Sequence, residues 1–184
     1  MINSGTGKHG VLFVKTVNSL FQGGAKMEDT TLRVAKQVNH LVKEYVSIEE
    51  DIFKPSMGKI LPIPGIFRPV NYTGHSERLE KMLLELEKSK KDIRSLKPAN
   101  DSIEGEFLIT LRAYINAFSV ALSELSIICG KLQLRSQGRA YTGKEYKSDA
   151  TGLRKLEMVY FDIGKKLNTL FAELSGRNMP EEKE

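Results

Sequence analysis

Trp is absent from the chain, Cys occurs once, at Cys129, and no acidic residue precedes Glu28. A single thiol excludes an intrachain disulfide framework and any zinc site built on several cysteines, and it makes a reducing, cytoplasmic location the expectation. No unbroken apolar run approaches the roughly 18 to 20 residues that cross a bilayer, so transmembrane insertion is not expected. The leading 27 residues lack Arg as well as acid, and their apolar stretch from Gly10 to Val14 is followed by Lys15 and Asn18. That pattern fits neither a secretory h-region nor an Arg-rich presequence, which leaves a segment that packs on the domain. Ser4-Gly-Thr-Gly-Lys8 is not a phosphate loop, because Ile2 stands where the first glycine belongs and His9 where Ser or Thr must follow the lysine.

What is present is a globular composition: 184 residues, 40% apolar and 28% charged, enough for one domain with a proper core. Four segments carry a helical apolar period. Val34, Val38, Leu41, Tyr45, Ile48 and Ile52 mark the first, over about 28–53, which Pro55 should end. Leu79, Met82, Leu86, Ser89, Ile93 and Leu96 mark the second, over about 75–96, with Ser76 as a cap. The third, about 101–136 and capped by Ser102, repeats Leu108, Leu111, Ile115, Phe118, Leu122, Leu125, Cys129 and Leu132, widened by Phe107, Tyr114 and Ile128. Leu153, Leu156, Tyr160, Ile163, Leu167, Leu170 and Leu174 define the fourth, about 150–175, ahead of Gly176.

With no alternating run long enough for a sheet, the expected fold is all-α. It is an antiparallel, left-handed four-helix bundle with up-down-up-down topology over residues 28–176. The third helix should be the most buried and, at roughly 54 Å, the longest. Its excess length calls for cover, either from the N-terminal segment 1–27 packed on it or from homo-oligomerisation through an exposed stripe. Residues 177–184 read as an acidic, solvated tail.

Two connections stand out. Residues 55–73 hold four prolines among Ile60, Leu61, Ile63, Ile66, Phe67 and Val70, which describes a stiff apolar lid or binding loop rather than a spacer. Residues 137–149 carry Tyr141 and Tyr146 between basic side chains, and from Lys131 to Lys155 seven bases stand against two acids, an excess that equals the net charge of +5. An up-down bundle brings both connections to one end. Lys54, Lys59, Arg68, Arg135, Arg139, Lys144 and Lys147, with Phe67, Tyr72, Tyr141 and Tyr146, are therefore the candidate anion- or partner-binding residues. The expected function is a non-enzymatic interaction protein with a macromolecular, most simply protein, partner at that end. The alternative is nucleic-acid or phospholigand binding, in which Lys and Arg displace counterions and Tyr stacks on bases.

No catalytic residues and no cofactor or metal are assigned. A di-metal bundle needs Glu-x-x-His on two helices, but Gln37 precedes His40 and Tyr72 precedes His75 at that spacing. His40 and Glu44 share a face but lack further ligands. Cys129 lies in an apolar seam and reads as a core thiol. An enzyme with its site under the proline-rich segment is the least supported reading.

Overall fold

The computed structural model describes residues 29–53, 70–97 and 101–174. About 90% of these residues are helical and none is in a strand. Four helices follow one another: α1 (Asp29–Phe53), α2 (Tyr72–Arg94), α3 (Ile103–Ser136) and α4 (Gly143–Leu174). Together they form a helical bundle. The segments 1–28, 54–69, 98–100 and 175–184 lie outside the described residues. The N-terminal cover, most of the 55–73 loop and the acidic tail therefore fall there too.

Cross-helix contacts give the order of packing. Arg33 on α1 meets Asp92 on α2 at 2.8 Å, and at the other end Asp51 meets His75 at 2.7 Å. Lys90 donates to Ser119, while the Cys129 thiol donates to the Tyr72 carbonyl, so α2 and α3 run in opposite directions. Phe107 packs on Phe171 and Lys131 pairs with Asp149, so α3 and α4 do the same. Backbone contact joins α1 to α2, α2 to α3, α3 to α4 and α1 to α3, but no Cα of α1 comes within 8 Å of α4. The gap is filled by rings. Tyr45 lies 5.4 Å from Phe118 and 6.3 Å from Tyr160, and Tyr160 lies 5.8 Å from Tyr114.

The core is the predicted one in α1, α2 and α3. Val34, Val38, Leu41, Tyr45 and Ile48 are buried, as are Leu79, Met82, Leu86 and Ile93, and as is the α3 seam from Leu108 to Cys129. The fourth helix corrects the prediction twice. It begins at Gly143, not near residue 150, because Thr142-Gly-Lys-Glu145 is a capping box. The Glu145 carboxylate accepts from the Thr142 N–H at 2.7 Å, and the Thr142 hydroxyl accepts from the Glu145 N–H at 3.2 Å. Its inward stripe is Leu153, Glu157, Tyr160, Gly164, Leu167 and Phe171, whereas Leu156 and Ile163 are only partly covered. Gly164 belongs there because a Cβ would stand 3.1 Å from the Tyr114 ring. At 32 residues α4 spans about 48 Å, nearly matching the about 51 Å of the 34-residue α3. The excess length expected of the third helix is therefore largely absent on that side.

Helix α2 starts at Tyr72, three residues earlier than predicted, because Asn71 rather than Ser76 caps it by accepting from the Gly74 N–H. A side chain at Gly74 would collide with that cap. At its other end the Arg112 guanidinium donates to the carbonyls of Ile93 and Leu96, supplying partners that a helix C-terminus lacks. Ser102 caps α3 as predicted.

Ser89 is fully buried and its hydroxyl has no hydrogen-bond partner among the described residues. An unpaired buried hydroxyl costs about 1 to 3 kcal/mol. Ser89→Ala is therefore expected to raise stability by about 1 kcal/mol in denaturant unfolding, and an unchanged or lowered midpoint would contradict the assignment.

Candidate functional site

The corner where α3 turns into α4 is built by the chain's own chemistry. Gly138 adopts φ +86, a left-handed conformation that costs glycine little, and this lets Gly138 and Arg139 return hydrogen bonds to the carbonyls of Arg135 and Leu134. Thr142 then opens α4 with its capping box, leaving a connection of only six residues. Tyr141 folds inward, and its hydroxyl donates to Asp149 at 2.9 Å. Lys131 donates to the same carboxylate at 2.6 Å and lies 5.7 Å from the Tyr141 ring centroid. The Lys131 ammonium holds Asp149 below the usual carboxylate range, and burial pushes the Tyr141 phenol up.

Tyr146 packs 6.3 Å from Tyr141 and 6.2 Å from Phe53, which ties the start of α4 to the end of α1. Tyr72 is half-buried at the start of α2, where Gln133 also reaches Thr73. The phenols of Tyr72 and Tyr146 are pushed up by burial, and the Arg135 charge nearby acts in the opposite direction. The predicted residues Tyr72, Tyr141, Tyr146 and Arg135 therefore do converge. Arg135, Arg139, Lys144 and Lys147 are all exposed, and none makes a side-chain ion pair among the described residues. Lys131, by contrast, is committed to Asp149, and Arg154 is engaged elsewhere. Lys54, Lys59, Phe67 and Arg68 lie outside the described residues.

The tyrosines differ in presentation from the base-stacking role that the alternative reading gives them. Tyr141 is 8% exposed and Tyr146 is wedged between Tyr141 and Phe53, so these rings brace the corner rather than display flat faces to a base. The groups left to a ligand are the four cations.

Of the residues set aside as metal ligands or nucleophiles, Glu44 is paired with Arg78 at 2.9 Å and His40 is exposed. Among the described residues no three His, Cys, Asp or Glu side chains gather as a metal site would require. Cys129 is buried beneath the Tyr72 carbonyl, and burial pushes its thiol up. Iodoacetamide should therefore modify Cys129 at least about a hundredfold more slowly in the folded protein than in guanidinium, since reaction requires opening. Equal rates would mean that the start of α2 does not cover it.

A cluster that the sequence reading missed lies between α1 and α4. The Tyr45 hydroxyl donates to the Glu157 carboxylate at 2.7 Å, and Glu49 is close enough to add its charge. Burial and then the Glu49 charge push Glu157 up to about 7. An acid whose folded pKa lies above its usual 4.5 favours the folded state below that value, and this advantage is lost as pH rises through 7. Glu157→Gln keeps an acceptor for Tyr45 and removes the charge. The variant is expected to gain up to about 3 kcal/mol on the parent between pH 5 and pH 8. A difference that stays flat across that range would show that Glu157 is ionised throughout.

No protein-family model matches the chain, and comparisons with curated proteins and with solved structures found no match.

Proposed function

We propose that this is a non-enzymatic, cytoplasmic interaction protein that engages an acidic macromolecular partner, most simply a protein, at the α3–α4 corner. One observation carries the reading: among the described residues Arg135, Arg139, Lys144 and Lys147 stand exposed without ion pairs, on a corner whose backbone is fixed by two helix caps and the packed Tyr141 and Tyr146. Unpaired cations held on rigid elements lose little freedom when a carboxylate-bearing surface arrives, which favours both encounter rate and specificity. The reading takes the helices as an up-down-up-down bundle, so that the segment leaving Phe53 and rejoining at Val70 adds Lys54, Lys59, Phe67 and Arg68 to the same end.

A second reading, nucleic-acid or phospholigand binding through residues 131–155, draws on the same four cations. The inward-turned Tyr141 weakens it, because single-strand binders use displayed rings.

Charge reversal at Arg135, Arg139, Lys144 and Lys147 is expected to abolish binding to poly-glutamate in fluorescence anisotropy and to leave the thermal melt nearly unchanged, since exposed charges contribute little to stability. Reversal at Lys88, Lys91, Arg94 and Lys97, exposed cations of α2 and its C-terminal turn, is expected to leave binding intact. Equal loss from both sets would reduce the effect to diffuse attraction by a basic protein. Tighter binding to oligo-deoxythymidylate than to poly-glutamate at matched salt would favour the second reading.

A further inference from the structure

Helix α3 carries a second stripe, on the face turned away from the core. Glu106, Ile109, Ala113, Asn116, Val120, Ile127 and Leu134 follow a 3-4-3-4-7-7 spacing, and every one is exposed. Ile109, Val120 and Ile127 leave 55%, 53% and 52% of their surface in water. Between Arg112 and Lys131 the helix has a single charged residue, Glu124. An 18-residue stretch of α3 is apolar enough by composition to cross a membrane, yet only half of it is buried inside the bundle, so the uncharged character extends beyond what the core requires. Large apolar side chains at heptad spacing on one helix face form a seam that water does not favour.

We infer that this face is a homodimer interface in which the α3 helices of two copies of the chain pack antiparallel about a two-fold axis near Phe118. The order of residues along the stripe specifies the arrangement. Reversing the helix about Phe118 sets Ile109 opposite Ile127 of the second copy and Asn116 opposite Val120 of the second copy. The same reversal brings Glu106, at the acidic start of α3, alongside Lys131, near the basic end, of the second copy. A parallel pairing would instead stack Glu106 on Glu106 and Lys131 on Lys131, which like charges oppose. Glu106 and Lys131 already hold Lys166 and Asp149 within their own chain, so their part is to steer orientation rather than to form new pairs. The interface is isologous, as a two-fold requires.

Sedimentation-velocity ultracentrifugation of the full chain at tens of micromolar is expected to show a species of twice the 20.7 kDa chain mass. Val120→Lys with Ile127→Lys should weaken this association at least about a hundredfold and leave the helical circular dichroism and melting temperature of the dilute protein unchanged. Leu84→Lys, at an exposed apolar position on α2, should leave the dimer intact. Orientation is read by disulfide trapping with Cys129→Ser chains that carry either Ile109→Cys or Ile127→Cys. Cross-linking only when the two are mixed supports the antiparallel register, and efficient cross-linking of either alone overturns it. A monomer at 100 µM overturns the inference whatever else covers the stripe. If the double-lysine variant then melts well below the parent, the chain's own residues 1–27 are the cover; if the monomer floats with phosphatidylcholine vesicles, lipid is. A dimer insensitive to the double-lysine variant overturns it as well.

Discussion

Tyr45 reaches across a gap that no backbone closes. Its ring meets Phe118 of α3 and Tyr160 of α4, and its hydroxyl ends on Glu157 at 2.7 Å. With no Cα of α1 within 8 Å of α4, the attachment of these two helices is made by side chains, chiefly this knot and the Phe53–Tyr146 contact further along. Large rings make such spacing stable because each buries a wide apolar area and prefers the edge-to-face geometry seen here. The hydrogen bond adds register, since sliding α4 by one turn would leave both the Tyr45 hydroxyl and the Glu157 carboxyl buried without partners, a loss of about 1 to 3 kcal/mol for each group.

From this knot the organisation of α3 follows. One face must accept Tyr45 and Tyr160 from two different helices, and Tyr114 and Phe118 supply the surface. Gly164 lets α4 approach closely enough for the Tyr114 ring to lie against its backbone. A second flank binds α2, where Arg112 completes the C-terminal carbonyls and the Cys129 thiol meets the first residue of the helix. What remains of α3 is a face that no described helix covers, and it exposes Ile109, Val120, Ile127 and Leu134.

Three helices were legible in the sequence because their inward positions are nearly all apolar, so the period and the burial coincide from Val34 to Ile48 and from Leu108 to Cys129. The fourth was shifted because its inward stripe contains Glu157 and Gly164, residue types that a hydrophobic period passes over, and Leu156 and Ile163 offered a more apolar stripe about one residue away. Glu157 can sit inside because its carboxyl is pushed toward neutrality and meets Tyr45, which only the partner helix reveals. The start of α4 was readable in principle, since Thr142 and Glu145 are spaced as a capping box, but the basic, glycine-containing stretch around them suggests loop. At the candidate site the grouping of Arg135 with Tyr72, Tyr141 and Tyr146 was legible from charge and topology. The inward turn of Tyr141 was not, because it depends on Asp149 accepting from Tyr141 and Lys131 together.

The basic corner and the apolar stripe share one helix, and that geometry couples the two proposals. Arg135 lies 17 residues from Phe118, so an antiparallel pair centred there places the two Arg135 side chains about 50 Å apart along the common axis, at opposite ends of the dimer. Each end would present one set of cations, and neither set would be occluded, because the seam occupies a different face of α3 from the corner. A partner carrying two acidic elements at that separation would gain from avidity, whereas one with a single element would bind each end independently. Breaking the seam would then lower affinity for the bivalent partner without altering affinity for the monovalent one, a separation that follows from rigid spacing and needs no change within either corner.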